Sequence, residues 1–181
     1  LGRSNRIALL DRHSTPYTDR TLPVTMTEIT FNMNVAATIL LAEDREDDIV
    51  LIQRAFEKGG IRNPLIVVRD GEEAINYLTG VVPFSDRERF PIPALLLLDL
   101  KMPKMGGIEI LKWLYHHPDC NLIPKIVFTA SKHESDIQEA YKWGANSYMV
   151  KPGGYENLTQ MLKVFFDYWN MCEKPTLPKN C

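Results

Sequence analysis

The sequence predicts an α/β fold in which a parallel sheet is doubly wound, with helices on both faces. Five short apolar runs alternate along the chain with five stretches of helical periodicity, the pattern of successive βαβ units with right-handed crossovers. One of the runs, Leu95-Leu96-Leu97-Leu98, is apolar at every position, as a strand covered on both faces must be. It stops at a carboxylate, Asp99, where Pro103 and the pair Gly106-Gly107 then break regular structure. Strand ends of this kind are where open α/β sheets bind ligands.

Each element can be justified in turn. Residues 1–34 lack sustained periodicity and carry Ser, Thr, Pro and mixed charges, so they read as a flexible leader, with Met26 and Met33 as alternative starts. Thr38-Ile39-Leu40-Leu41-Ala42 is the first strand, and Glu43-Asp44 leads from it into a helix with Ile49, Ile52 and Phe56 on one face, ended by Gly59-Gly60. Leu65-Ile66-Val67-Val68 is the second strand. Asp70-Gly71 turns the chain into a helix bearing Ala74, Ile75 and Leu78, and a long proline-containing connection leads to the leucine strand. A helix with Ile108, Leu111 and Leu114 follows and is expected to end at Pro118. Lys125-Ile126-Val127-Phe128-Thr129 is strand four. Residues 134–143 form a helix with Ile137 and Tyr141 on one side, capped by Gly144, and Asn146-Ser147-Tyr148-Met149-Val150 is strand five. Lys151-Pro152-Gly153-Gly154 then opens a last, aromatic-rich helix. Its residues Leu158, Leu162, Phe165 and Trp169 are expected to face the sheet, with Phe166 and Tyr168 off that face.

Composition narrows the function classes. The chain has 181 residues, 21 basic and 23 acidic, for a formal net charge of −2. This length accommodates one domain and some extra chain, but not a second output domain. No basic stripe favours a phosphate backbone, so no nucleic-acid partner is expected. The three cysteines, Cys120, Cys172 and Cys181, are odd in number and widely spaced, which speaks against a disulfide framework and for a reducing, cytoplasmic setting. No apolar run approaches a membrane span, and Ile7-Ala8-Leu9-Leu10 is too short for a signal peptide.

Five-unit chains of this type commonly adopt the strand order 2-1-3-4-5, with a switch point between strands one and three. That order brings Glu43, Asp44, Asp99, Thr129 and Lys151 to one rim. Strand five lies two steps of about 4.8 Å from strand three, a gap much of which a lysine stem covers. Three carboxylates together repel one another unless a cation intervenes, and an all-oxygen cluster with room for water suits Mg²⁺. A carboxylate, a divalent ion, a hydroxyl and an ammonium are the parts needed to accept a phosphoryl group, with Asp99 as the nucleophile.

Glu43-Asp44, Leu97-Leu98-Asp99 with Met102-Pro103 and Gly106-Gly107, Thr129-Ala130-Ser131, and Gly144-Ala145-Asn146-Ser147-Tyr148 with Lys151-Pro152 together resemble the receiver domain of two-component response regulators. The resemblance covers residues 35–172, leaving 173–181 as a tail, and implies the flavodoxin-like (βα)5 receiver fold. Leu51-Ile52-Gln53-Arg54-Ala55-Phe56, Asp70-Gly71-Glu72-Glu73-Ala74-Ile75-Asn76-Tyr77-Leu78 and the insertion before strand three are similar to single-domain regulators paired with bacterial phytochrome histidine kinases. The resemblance implies Asp99 as phosphoacceptor and a histidine kinase as donor. It implies Glu43, Asp44, Asp99 and the Lys101 backbone carbonyl as Mg²⁺ ligands. Thr129 and Tyr148 become the switch pair, and Lys151 the phosphate-contacting lysine before a cis Pro152. Gly153-Gly154 departs from the family pattern, which often has a bulky apolar residue there. Such a protein is a switch and no enzyme in the ordinary sense, assisting only its own phosphotransfer and slow dephosphorylation. Its output is changed binding to an unidentified downstream protein, and the aromatic last helix suggests a homodimer.

Asp47 and Asp48 suit the first helical turn, where negative charge complements the dipole, better than the metal site. His117 and Cys120 lack a second pair for a metal, and His13, His116 and His133 read as surface residues. A flavodoxin-type electron carrier needs a Ser/Thr/Gly-rich phosphate loop where Glu43-Asp44 stand, and a haloacid-dehalogenase-type hydrolase needs a nucleophilic Asp after strand one followed by a second Asp two residues on, which Glu43-Asp44-Arg45-Glu46 does not match. A receiver-like scaffold that never takes phosphate is the serious alternative.

Overall fold

The computed structural model describes residues 37–178 and Cys181. The leader expected over residues 1–34, with Met26, Met33 and His13, lies outside the described residues.

Five strands form one parallel sheet in the order β2-β1-β3-β4-β5: β1 is Ile39–Ala42, β2 Leu65–Val68, β3 Leu95–Leu98, β4 Lys125–Thr129 and β5 Ser147–Val150. Ile39 pairs with Leu65 on one side and Leu95 on the other, Leu96 with Lys125, and Ile126 with Ser147. This is the expected receiver-type sheet. The register brings the carboxyl ends of β1, β3, β4 and β5 to a common rim.

Period-two alternation divides the strands between two cores. Leu40, Ala42, Leu96, Leu98 and Val127 face one way, against α2 (Gly71–Thr79), α3 (Gly107–Tyr115) and α5 (Glu134–Lys142). Ile39, Leu41, Leu95, Leu97, Ile126 and Phe128 face the other way, against α1 (Glu46–Gly59) and α6 (Tyr155–Met171). All four leucines of β3 are buried, so each contributes to one core or the other. Fully burying a side chain of that size stabilises by roughly 1.5–3 kcal/mol, which makes β3 the axis of the molecule.

Two helices differ in detail from the sequence expectation. Pro118 does not merely end α3; it opens a short helix, α4 (Pro118–Asn121), as its first residue. Proline lacks the N–H that a first helical position leaves unpaired anyway, so a residue that stops one helix can start the next. In α6 the buried residues are Leu158, Thr159, Leu162 and Phe166, while Phe165 and Trp169 are only partly covered. Spacing by four keeps 158, 162 and 166 in one ridge, and Phe166 meets Phe56 of α1 edge-on at 5.1 Å.

The long connection before β3 is held by its own contacts. Tyr77, Phe84 and Phe90 form a ring cluster, and the Arg87 guanidinium donates to the carbonyls of Tyr77 and Leu78 at the end of α2 and to that of Phe90 in the connection itself. A cationic side chain there satisfies the orphan carbonyls of a helix terminus. The cis peptide of the described residues is Val82–Pro83; the bond before Pro152 is not cis.

Candidate functional site

Each candidate side chain is delivered by the end of a strand. Glu43 and Asp44 follow β1, Asp99 follows β3, Thr129 closes β4 and Lys151 follows β5. Asp99 is pinned on both sides, its N–H donating to the Ala42 carbonyl at 2.9 Å and its Oδ1 accepting from the Leu100 N–H at 2.9 Å. The chain then turns back so tightly that a Cβ on Gly107 would lie 2.3 Å from the Asp99 carbonyl oxygen. Only glycine permits that approach.

Glu43, Asp44 and Asp99 offer carboxylate oxygens that lie within 4.8 Å of one another, the arrangement among the described residues that could hold a metal ion. Glu43 is fully buried and Asp99 is 5% exposed. Asp44 Oδ1 is buried without a hydrogen-bond partner. A buried oxygen left unpaired is costly, and a hard cation with oxygen ligands is the partner this donor set fits. His117 and Cys120 make no such group. The His117 ring stacks on Trp113, with Nδ1 2.6 Å from the Trp113 carbonyl oxygen, and Cys120 is buried in the core.

Lys151 reaches the cluster as expected, but it does not rest on Asp99. Its ammonium bonds Glu43 Oε2 and, at 2.9 Å, Asp48 Oδ2, while Asp99 Oδ2 is 3.8 Å away. Burial raises the pKa of Glu43, and the Lys151 hydrogen bond and charge only partly offset that rise. Burial works against the Lys151 charge, yet the bond to Glu43, the charge of Asp99 and the bond to Asp48 hold its pKa above the ordinary lysine value. Asp48 does sit in the first turn of α1, as the sequence suggests, and its carboxylate is also part of this network. Its place in the opening turn of the helix that directly follows Glu43-Asp44 is the signal that could have identified it.

Thr129 is 1% exposed, with Oγ1 accepting the Ser131 N–H at 3.4 Å. Ser131 donates its hydroxyl to Asp136 at 2.5 Å, and Tyr148 donates its hydroxyl to the Ser131 carbonyl at 3.1 Å. The switch pair expected from the sequence is thus joined through Ser131. Burial raises the pKa of Tyr148, the bond to Ser131 partly offsets that rise, and the Asp136 and Asp99 charges add to it. An open cleft of about 780 Å³ lies over the cluster, lined among others by Asp44, Asp99, Lys101, Thr129 and Lys151.

The loop after Asp99 has a second anchor that the sequence did not reveal. Lys104, with φ of 59°, donates to Asp70 Oδ2 at 2.6 Å, and the Gly71 N–H donates to the Met105 carbonyl at 3.0 Å. The loop is thereby fastened to the start of α2.

Comparison with known proteins agrees with this geometry. The family model described as the response regulator receiver domain matches residues 39–163. Response regulator Rcp1 of Synechocystis sp. is 34% identical over 145 residues, covering 80% of this chain and 95% of Rcp1. A Mn²⁺-bound crystal structure of Rcp1 superposes with a TM-score of 0.69 at 33% identity, covering 77% of this chain and 99% of that one. The probable methanogenesis regulatory protein FilR2 of Methanothrix harundinacea is 34% identical over 131 residues, covering 72% of this chain and 82% of FilR2. The phosphorylated cyanobacterial phytochrome response regulator RcpA gives a TM-score of 0.72 at 32% identity, covering 78% of this chain and 99% of that structure. Five strands in the order 2-1-3-4-5, an acidic cluster at their carboxyl ends and a family match over most of the folded residues have one reading: the chain belongs to the response regulators and carries their receiver domain.

Proposed function

We propose that this receiver is a phosphoryl-accepting switch, a single-domain response regulator charged on Asp99 by a sensor histidine kinase. The observation that carries this reading is the buried cluster of Glu43, Asp44 and Asp99, with the unpaired Asp44 Oδ1 in it and Thr129 and Lys151 on the same rim. In the proposed step an Asp99 oxygen attacks the phosphorus of a phosphohistidine; the P–O bond forms as the P–N bond breaks, and the imidazole leaves to take up a proton. Glu43, Asp44, Asp99 and the Lys101 carbonyl would hold Mg²⁺, which supplies charge neutralisation for the transferred oxygens. Lys151 moves onto one of those oxygens and Thr129 donates to another. Tyr148 then follows Thr129, and the surface near β4 and β5 changes its binding preference for a downstream protein.

The likeness to RcpA and Rcp1 favours a donor kinase of the phytochrome class. The exposed side of α6 supports a homodimer as the working form. Among the described residues no helix is long and apolar enough to cross a membrane. The proposed meeting place of receiver and kinase is the cytoplasm.

Incubation with a small acyl phosphate and Mg²⁺ tests the reading by intact mass. One phosphoryl group should appear on the wild-type protein, and none on Asp99→Asn or in excess chelator. A wild-type protein that takes no phosphate while still binding its kinase would be a scaffold.

A further inference from the structure

We propose that Asp48 is a positioning residue for Lys151, a counter-anchor that lets the lysine give up Glu43 when the acidic cluster takes a divalent cation. This inference rests on the phosphoacceptor reading of the cluster. In the structure the Lys151 ammonium sits against part of the acidic cluster. It is bonded to Glu43, one of the three clustered carboxylates, and lies 3.8 Å from Asp99, another. Its second partner at 2.9 Å is Asp48, which stands outside the trio in the first turn of α1 and is one-quarter exposed. The same Asp48 oxygen has Arg45 Nε at 3.7 Å, and Arg45 is largely exposed, so Lys151 is the nearer and better shielded partner. Lys151 is itself only 11% exposed, and Phe128 lies under its ammonium at 5.9 Å.

A divalent ion bound by Glu43, Asp44 and Asp99 would compete with the ammonium for the Glu43 carboxylate, which Lys151 holds directly. If Lys151 left Glu43 for no other acceptor, a mostly buried ammonium would be stranded, at a penalty that opposes metal binding. Asp48 removes that penalty, because Lys151 already holds it and can keep it while releasing Glu43. The lysine thereby stays charged and close to the rim, within reach of the phosphoryl oxygens. Asp48 lines both the cleft over Asp99 and a smaller cavity of about 120 Å³ beneath Lys151 and Pro152, so the lysine has room to pivot about it.

The test is a thermodynamic cycle on Mg²⁺ affinity in the unphosphorylated protein, measured by calorimetric titration of the wild type, Asp48→Asn, Lys151→Met and the double variant. Asp48→Asn should weaken Mg²⁺ binding by about tenfold when Lys151 is present and by less than about twofold when it is Met, because the residue acts through the lysine. Asp48→Glu should restore most of the affinity. Equal losses in the two backgrounds would mean that Asp48 contributes only its charge at a distance, and would overturn the inference alone. A wild-type protein that binds no Mg²⁺ would overturn the phosphoacceptor reading and this inference with it.

Discussion

Lys101 and Ser131 stand two residues beyond Asp99 and Thr129, and both line the open cleft over the cluster, the side from which water would reach the proposed phosphoryl group on Asp99. Their circumstances are unlike. Ser131 is 7% exposed and spends its hydroxyl on Asp136, so it has no free donor to offer an incoming water. Lys101 is exposed, lines the cleft and has no charged partner among the described residues. An ammonium on a flexible stem can fold over a phosphoryl group, pairing with it while it crowds the water. Lys101→Ala should therefore shorten the half-life of phosphorylated Asp99 by about two- to fivefold, the range an exposed charge pair supplies. Single-turnover decay followed by gel retardation of the phosphoprotein checks this, and a variant that decays no faster than wild type refutes it. The residues of this site were legible because each follows an apolar run at a fixed place. Their partners were not: nothing local to Lys151 points to Glu43 or Asp48, more than 100 positions earlier, as the pair that holds it.

At the scale of elements, the start of α2 and the loop after β3 behave as one assembly centred on Asp70. Asp70 is the N-cap of α2, its Oδ1 accepting the Glu73 N–H at 2.8 Å while Oδ2 accepts from Lys104. Gly71 admits no side chain, since a Cβ there would lie 2.6 Å from Met105. Asp70-Gly71 reads in sequence as a turn into a helix, and it is one; the bond to Lys104 joins positions 34 apart and has no local signature. The Lys104 hydrogen bond, offset in part by burial and aided by the Glu73 N–H, holds the Asp70 pKa below the ordinary aspartate value. A carboxyl whose pKa is depressed by folding contributes stability that is complete above its unfolded pKa, near 3.9, and disappears as pH falls through the lower folded value. Asp70→Ala should cost about 1 kcal/mol at pH 7, as lost caps do. In urea melts the gap between variant and wild type should close as the pH drops below about 4, through the window in which wild-type Asp70 protonates. A gap that stays constant into acid would show that the carboxylate charge is not what fastens the loop. The short helix α4 and the register of α6 were illegible for a similar reason, since proline reads alike at a helix end and at a helix start, and neighbouring aromatics compete for one buried ridge.

Among the described residues, the side formed by β5 and α6 carries apolar surface that the core does not consume. β5 is an edge strand with all four residues only partly buried, and α6 beside it leaves Val164 56%, Tyr168 60% and Met171 62% exposed. Between them runs an open groove of about 470 Å³ lined by Met149, Pro152, Met161, Val164 and Phe165. Because Phe166 takes the buried ridge, Phe165 is pushed toward this outer side, so the register found in α6 enlarges the apolar surface there. Aromatics and methionine are the residues enriched where protein interfaces are driest, whereas Lys and Glu are depleted. The groove also adjoins Pro152, next to Lys151, so a change at the phosphoacceptor has a short path to it. Self-association through α6 should therefore be detectable by sedimentation velocity at tens of micromolar. Replacing both Val164 and Tyr168 with Glu should move the population to monomer without loss of helical circular dichroism, since neither residue belongs to the buried core. The same pair of changes should leave acyl-phosphate labelling of Asp99 intact, because they lie on the outer side of α6, away from the carboxylate cluster. A wild-type protein that remains monomeric at that concentration, both phosphorylated and unphosphorylated, would exclude α6 as a dimer interface and leave this face to a different protein.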